Sequence, residues 1–404
     1  MRPSIITAVA AAALLAAGTV AAATAGASET PTPTATSIDV RRLSYHLGDQ
    51  AFTYPGYDGR SELAAEVTVP ADLARGKHPL IVIEHGQWDT CADPAAQKRL
   101  DAAKKALAHT TDPATQDRLN EQIEAAGALL LRWPCVKGTP QIPSYQGYRY
   151  LATALAQDGF VVASIGTNGI NASSFGQADT VYQARAALLN RHLAVWQQLS
   201  EKGTGPLGAA LGTAFTGHVD LTHVGTVGHS MGGGGVMQQI ADGTHQLWPA
   251  GVRVAGTFTL APTDTFDVLP VTGVPFAQMW GTCDQVNSGT YFHDNAASAR
   301  KPIFEYTLTG GNHDFYNTQW SPSSGQVGAD DDAVAGTGKR TCQSQFPDQE
   351  KPVDQPRLPE ARQRELTVHY ATAFFEHFLQ GKNTLGTLRA AAGPEVKVAA
   401  AGRS

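Results

Sequence analysis

The sequence predicts an α/β protein: a mostly parallel central sheet with helices on both faces and an inserted helical hairpin. Three observations point there. Short, continuously apolar segments alternate with longer amphipathic ones along most of the chain. One apolar segment runs into a glycine-rich turn, VGTVGHSMGGGG at 224–235, which opens a helix. Between Cys91 and Cys135 the alternation stops, and two helical segments follow one another.

The elements come in this order. Arg2 precedes an alanine-rich apolar run from Ile5 to about Ala23, followed by the small residues of 23–27. That pattern predicts a secretory signal peptide over 1–27 and an extracellular protein. No cysteine follows the run, so no lipid attachment is expected, and the run is too alanine-dominated for a stable membrane anchor. The proline- and threonine-rich stretch 28–37 reads as a flexible mature N-terminus. A single domain is expected over 38–381, with 382–404 as a tail. SELAAEVTVP (61–70), PLIVIEHG (79–86) and FVVASIGT (160–167) read as strands, with a helix over 144–160 between the last two. A long amphipathic helix over 180–203 places Ala184, Ala187, Leu188, Leu193 and Trp196 on one face. HVGTVGHS (223–230) is the next strand and 231–243 the next helix. Strands at 253–263, 275–282 and 302–311 precede a closing helix that ends at Gly381.

The hairpin occupies 92–134. Asp93-Pro94 and Asp112-Pro113 each pair an N-cap with proline at the first helical position. Leu100, Ala103 and Leu107 line one arm; Leu119, Ile123, Ala126 and Leu130 line the other. Lys98, Arg99, Lys104 and Lys105 on the first arm face the prospect of pairing with Asp117, Glu121 and Glu124 on the second. The hairpin leaves the sheet just after Gln87, so it is expected to shape or cover a pocket as a lid.

Composition narrows the function. The formal charge is −6 and hydrophobic residues make up 42 % of the chain. No basic stretch could neutralise a phosphate track, so nucleic acid is not expected as a partner. The four cysteines, Cys91, Cys135, Cys283 and Cys342, lack the paired-ligand spacing of a zinc site and in an exported chain read as disulfides. Pairing Cys91 with Cys135, and Cys283 with Cys342, is the one connectivity that keeps each bridge local to a single structural feature. The acidic loop GADDDA, with Asp330 to Asp332, reads as solvated, and neither metal nor cofactor is expected.

Gly228-His229-Ser230-Met231-Gly232 is G-x-S-x-G between a strand and a helix. Side chains at the flanking glycine positions would collide across so sharp a bend, and the turn lifts the serine hydroxyl above the sheet edge. A serine hydroxyl is a weak nucleophile and needs a base, which in turn needs an orienting acid. Asp284 and His313 each fall just past a later strand, on the edge that carries Ser230. Asp264, past the preceding strand, is the runner-up acid. Asp314 would struggle to fold back onto its neighbour's ring, and His229 points away from the reacting side. Two backbone N–H groups, of Met231 and of Gln87 in the His85-Gly86-Gln87 loop, are placed to bind an oxyanion, with His85 bracing that loop.

On these residues the chain resembles secreted α/β-hydrolases, nearest the branch of dienelactone hydrolases, platelet-activating-factor-acetylhydrolase-like esterases and polyester-degrading cutinases. GHSMGGGG and GGNH resemble the cutinase elbow and histidine loop; HPLIVIEHG and YRYLATALAQDGFVVASIGTNG are more similar to the acetylhydrolase side. Gln87 and Thr263 stand where cutinases carry an aromatic residue and a tryptophan, and the hairpin is foreign to that branch. The resemblance implies an α/β-hydrolase fold and a serine esterase with a Ser230–His313–Asp284 triad. The substrate would be a small-molecule or lipid-like ester, the enzyme a monomer, and Trp88, Met231, Trp280 and Trp320 would wall the pocket. An acyltransferase, a peptidase or a non-catalytic binding protein could share the same scaffold.

Overall fold

Nine strands form one twisted sheet in the computed structural model, which describes residues 39–174, 177–287, 289–330, 341–343 and 354–403. The expected signal peptide and N-terminal stretch, and Asp331 and Asp332, lie outside the described residues. In chain order the strands are β1 (Val40–His46), β2 (Ala64–Pro70), β3 (His78–Glu84), β4 (Val161–Ile165), β5 (Val219–His229), β6 (Val254–Leu260), β7 (Phe276–Gly281), β8 (Ile303–Leu308) and β9 (Val396–Ala401). Their order across the sheet is β1-β2-β4-β3-β5-β6-β7-β8-β9. β3 to β8 run parallel to one another; β1, β2 and β9 join by antiparallel pairs.

Buried on both faces, the central strands need apolar residues at every position. Leu80 and Val82 of β3 enter one core while Ile81 and Ile83 enter the other. The first core is covered by α4 (Thr180–Lys202) and α5 (Met231–Ile240), the second by α3 (Arg149–Gln157) and α6 (Glu360–Gln380). α6 stops at Gly381, whose φ of 69° is the left-handed geometry that ends a helix.

After β3 the chain crosses to β4 on one side and returns past β3 to β5 on the other. The loops that follow β3 and β5 therefore diverge. This is a topological switch point, and it leaves a crevice at the carboxyl ends of the strands.

The hairpin forms as α1 (Pro94–Leu107) and α2 (Pro113–Leu130). Asp93 accepts from the N–H groups of Ala95 and Ala96, and Asp112 from that of Thr115. Ala96, Leu100, Ala126 and Leu130 make a small core of their own, against which Ile123 and Val327 pack. The expected charge pairing between the arms does not occur: among the described residues no ion pair joins α1 to α2. All seven charged residues point to solvent, away from the seam where Leu and Ala meet.

Segment 382–404, read as a tail, instead carries β9, which pairs with β8 from Ile303↔Ala401 to Leu308↔Val396. Its run VKVAAA has weak strand character, and its register is set by an edge that β8 leaves open. β1, VRRLSYH, is a half-exposed edge strand whose adjacent Arg41 and Arg42 face solvent and whose one buried residue is Tyr45, so it has no clean apolar alternation to mark it in the sequence.

The ends of the insert lie close together, with the Cα atoms of Cys91 and Cys135 5.7 Å apart. Replacing 92–134 with a short glycine-serine linker should therefore leave a folded sheet domain. Circular dichroism should show lost helix with a retained cooperative melt. A broad, non-cooperative transition would show that the hairpin core is needed by the domain.

Candidate active site

Ser230 sits between β5 and α5 with φ 56° and ψ −126°, a conformation that side-chain-bearing residues avoid. The backbone around it holds that geometry. Its N–H donates to the Leu260 carbonyl at 3.0 Å, and its carbonyl accepts from Gly233 at 2.7 Å and Thr263 at 3.0 Å. The flanking glycines have direct steric reasons. A Cβ on Gly228 would lie 2.2 Å from the Gly232 carbonyl oxygen, and one on Gly232 would lie 2.5 Å from that of Glu84 in β3. The bend thus closes on itself at one glycine and on the neighbouring strand at the other.

Asp284 and His313 meet in space. His313 Nδ1 donates to Asp284 Oδ2 at 2.8 Å, both side chains being buried. The other carboxylate oxygen accepts from the N–H groups of Val286 at 2.8 Å and Asn287 at 2.9 Å. Those bonds fix the carboxylate in an Asx turn directly after β7. Asp264 Oδ1 accepts from the Thr290 N–H at 3.1 Å. The two disulfides join Cys91 to Cys135 and Cys283 to Cys342. The second is anchored one residue before Asp284.

His229 ties the serine turn to the histidine loop. Its Nε2 donates to the His313 carbonyl at 3.1 Å, and its Nδ1 accepts from the Tyr148 hydroxyl at 2.9 Å. Burial drives its pKa well below the ordinary imidazole value. It is a neutral strut, with its ring centroid 5.0 Å from that of His313 and 4.7 Å from that of Trp320. From α6, Gln363 clamps the same loop, accepting from the Asn312 N–H and donating to the Asn312 carbonyl.

The loop after β3 lies against the serine: a Cβ on Gly86 would fall 2.4 Å from the Ser230 Cβ. Gln87 is next in the chain. Its side chain is turned aside, donating to the Asn171 carbonyl and accepting from Ser174 Oγ. Among the described residues neither the Gln87 nor the Met231 backbone N–H has a hydrogen-bond partner within the protein. Two free donors therefore remain on the segments flanking Ser230.

A polar core supports this loop. His85 is fully buried and its pKa is pushed down to about 3 by burial and by the nearby Arg185 guanidinium. The Thr167 N–H donates to His85 Nε2, which leaves the proton on Nδ1, bonded to the Gly86 carbonyl. Arg185 of α4, also fully buried, donates to the His85 carbonyl at 3.0 Å and to Asn171 Oδ1 at 2.5 Å, and lies 3.5 Å from Glu84. Burial raises the Glu84 carboxyl to about 8, with Arg185 pulling it back. Asn171 completes the circuit by donating to the Gly86 carbonyl. Arg185 went unread in the sequence, where it interrupts the buried stripe of Ala184 and Leu188; a lone arginine on such a stripe is the signal. Tyr148, Asn171 and Gln363 carry no comparable signal.

The aromatic residues divide. Trp320 is fully buried, its Nε1 donating to Ser144 Oγ, and it stacks on the half-buried Trp88 with centroids 4.7 Å apart. Trp280 is buried on β7, and Met231 is half-buried against the first core. Among the described residues no group of three or more histidine, cysteine or acidic side chains is arranged to hold a metal, and no helix is long and apolar enough to cross a membrane. In comparisons with known proteins, neither a family model nor a curated relative matches the chain.

Removing Arg185 would strand Glu84 and the acceptors on His85 and Asn171 in a dry interior. Arg185→Met should lower the unfolding free energy by about 3–5 kcal/mol in urea titrations. Arg185→Lys should not restore it, since an ammonium cannot span both acceptors. A loss below about 1 kcal/mol would show that the network is energetically idle.

Proposed function

We propose that the protein is an extracellular serine hydrolase of α/β-hydrolase fold that cleaves carboxylic esters. One observation carries the reading: a serine held at φ 56° on a strand-to-helix turn that His229 ties to the loop of a buried histidine, His313, whose Nδ1 is bonded to a carboxylate at 2.8 Å. A buried Asp–His pair holds the imidazole proton on Nδ1, the tautomer in which Nε2 acts as the base. The sheet order and its switch point, with the serine on the β5 loop and the free Gln87 N–H on the β3 loop, support the fold assignment. Two disulfides fit an oxidising compartment.

In this mechanism His313 takes the Ser230 proton as Oγ attacks the ester carbonyl. Asp284 stabilises the imidazolium that forms. The N–H groups of Gln87 and Met231 receive the oxyanion. The alcohol leaves with the proton from His313, and water resolves the acyl-enzyme by the same path. Trp88, at the mouth of the β3 loop, supplies an apolar wall.

Two experiments test this. A fluorophosphonate probe should label Ser230 alone by peptide mapping, and Ser230→Ala should cut turnover of a p-nitrophenyl ester by several orders of magnitude without changing the melting temperature. A label on another serine would overturn the assignment. Separately, Asp284→Asn should lower kcat by roughly 10⁴-fold, since the amide favours the wrong tautomer. Asp264→Asn, which alters the group that accepts from the Thr290 N–H, should keep most activity. The reverse order would make Asp264 the acid.

A further inference from the structure

At the opposite end of the sheet, the amino ends of β5 to β8 border a half-open cavity of 590 Å³. Its lining includes Arg253, Arg300, Lys301 and Arg403, with Trp248 and Phe378 among its apolar residues. No aspartate or glutamate lines it. In a chain of net charge −6, four permanent cations around one cavity are a marked local reversal of sign.

Three of the four side chains lack a partner among the described residues. The side chains of Arg253, Lys301 and Arg403 make no hydrogen bond or ion pair to another described residue, Arg253 being bonded through its backbone alone. Arg300 donates to Thr272 Oγ1. Two carboxylates of the flanking segments are bonded locally: Asp220 by Thr222 and His223, and Asp242 by the Thr272 N–H and hydroxyl, Asp242 also lying within electrostatic reach of Arg300. Three histidines, His223, His245 and His377, also border the cavity. Each has one ring nitrogen engaged, with Asp220, the Ile240 carbonyl and the Lys382 carbonyl respectively.

The backbone keeps these cations together. Arg253, Lys301 and the Pro275 turn sit where three adjacent parallel strands begin, so the strand spacing of about 4.8 Å sets their separation. Arg403 arrives from the end of β9. There Gly402, at φ 81°, passes so close to Lys301 that a Cβ would lie 2.0 Å from the Lys301 carbonyl oxygen. Only glycine allows that crossing, and the crossing is what delivers Arg403 to the same mouth as Lys301.

We propose that this cavity binds a small organic polyanion: an aromatic or apolar body carrying two or more phosphate, sulfate or carboxylate groups. Guanidinium groups bind such oxyanions through paired N–H donors. Trp248 and Phe378 supply a surface for the body, and the volume falls in the range of small-molecule pockets. The site is separate from the serine. His223 and Ser230 stand seven residues apart on one extended strand, which is about 23 Å.

The test uses the full-length protein and pyranine, a hydroxypyrene trisulfonate, with fluorescence anisotropy as the readout. Saturable binding that weakens with added salt is expected. Arg253→Glu combined with Lys301→Glu should weaken it about tenfold or more, with an unchanged melting temperature. Inorganic sulfate should compete far less well than mellitate, because it lacks the apolar body. Should the double reversal fail to fold, Arg403→Ala, near the exposed chain end, should still weaken binding about threefold. Absence of saturable binding, or binding indifferent to these substitutions, overturns the proposal. The readout needs no turnover, so the result stands apart from the esterase reading.

Discussion

A backbone angle at one residue organises the structure. Holding Ser230 at φ 56° costs on the order of 1–3 kcal/mol relative to an ordinary conformation. The fold must over-determine it. A hydrogen bond to the Leu260 carbonyl and others from the Gly233 and Thr263 N–H groups grip the peptide groups on either side, tying the turn to the end of β6, the segment just past it and the start of α5. The strain is therefore borne by the centre of the sheet, where local opening is rarest. Steric closeness does the rest. The turn has no room for side chains at Gly228 or Gly232, and the β3 loop has none at Gly86.

The polar core under the β3 loop follows from that closeness. A loop pressed against the serine turn has carbonyls facing inward, and buried acceptors must be satisfied. Arg185 brings several donors in one planar group, which is why one residue of α4 can serve the His85 carbonyl and Asn171 together. A buried guanidinium is expensive to desolvate. Its near neighbour Glu84 and its acceptors offset that cost, and the gain is a loop whose position is fixed from beneath. His85 and His229 play matching parts on the two sides of the serine. Both are held neutral by burial and use one nitrogen to donate and one to accept. Neither is suited to carry charge during a reaction.

Much of this was legible in the sequence because periodicity and turn chemistry are local. The seven assigned strands, the long helices and both hairpin caps follow from apolar spacing and from Asp-Pro pairs. The juxtaposition of His313 with Asp284 was legible because both fall just past parallel strands, and parallel strands deliver their ends to one edge. What could not be read has a common physical cause. β1 and β9 are edge strands, one side of which answers to solvent, so their composition is set weakly by the sheet. Arg185 and Gln363 act through partners 100 and 51 residues away, and nothing in the local pattern encodes such distances. The charges on α1 and α2 suggested pairing by sign alone; the helices meet through leucine and alanine and leave the charges in water.

The parallel arrangement also explains how one domain can hold two chemically opposed regions. Every parallel strand has a carboxyl end and an amino end, and the connections obey different demands at each. At the carboxyl edge the loops after β3, β5, β7 and β8 converge on buried, hydrogen-bonded and mostly uncharged groups, the setting in which the His313–Asp284 pair interacts strongly. At the amino edge the incoming turns before β6 and β8 carry Arg253, Arg300 and Lys301 in solvent, where charge is cheap to keep and screened within about 10 Å at moderate salt. With β5 spanning about 23 Å between them, the amino-edge cations exert little direct field on His313. Anions bound at that edge would leave the protonation of the serine site unaltered. Coupling between the two ends would have to pass through movement of β5 itself, which the packed cores on both sheet faces oppose.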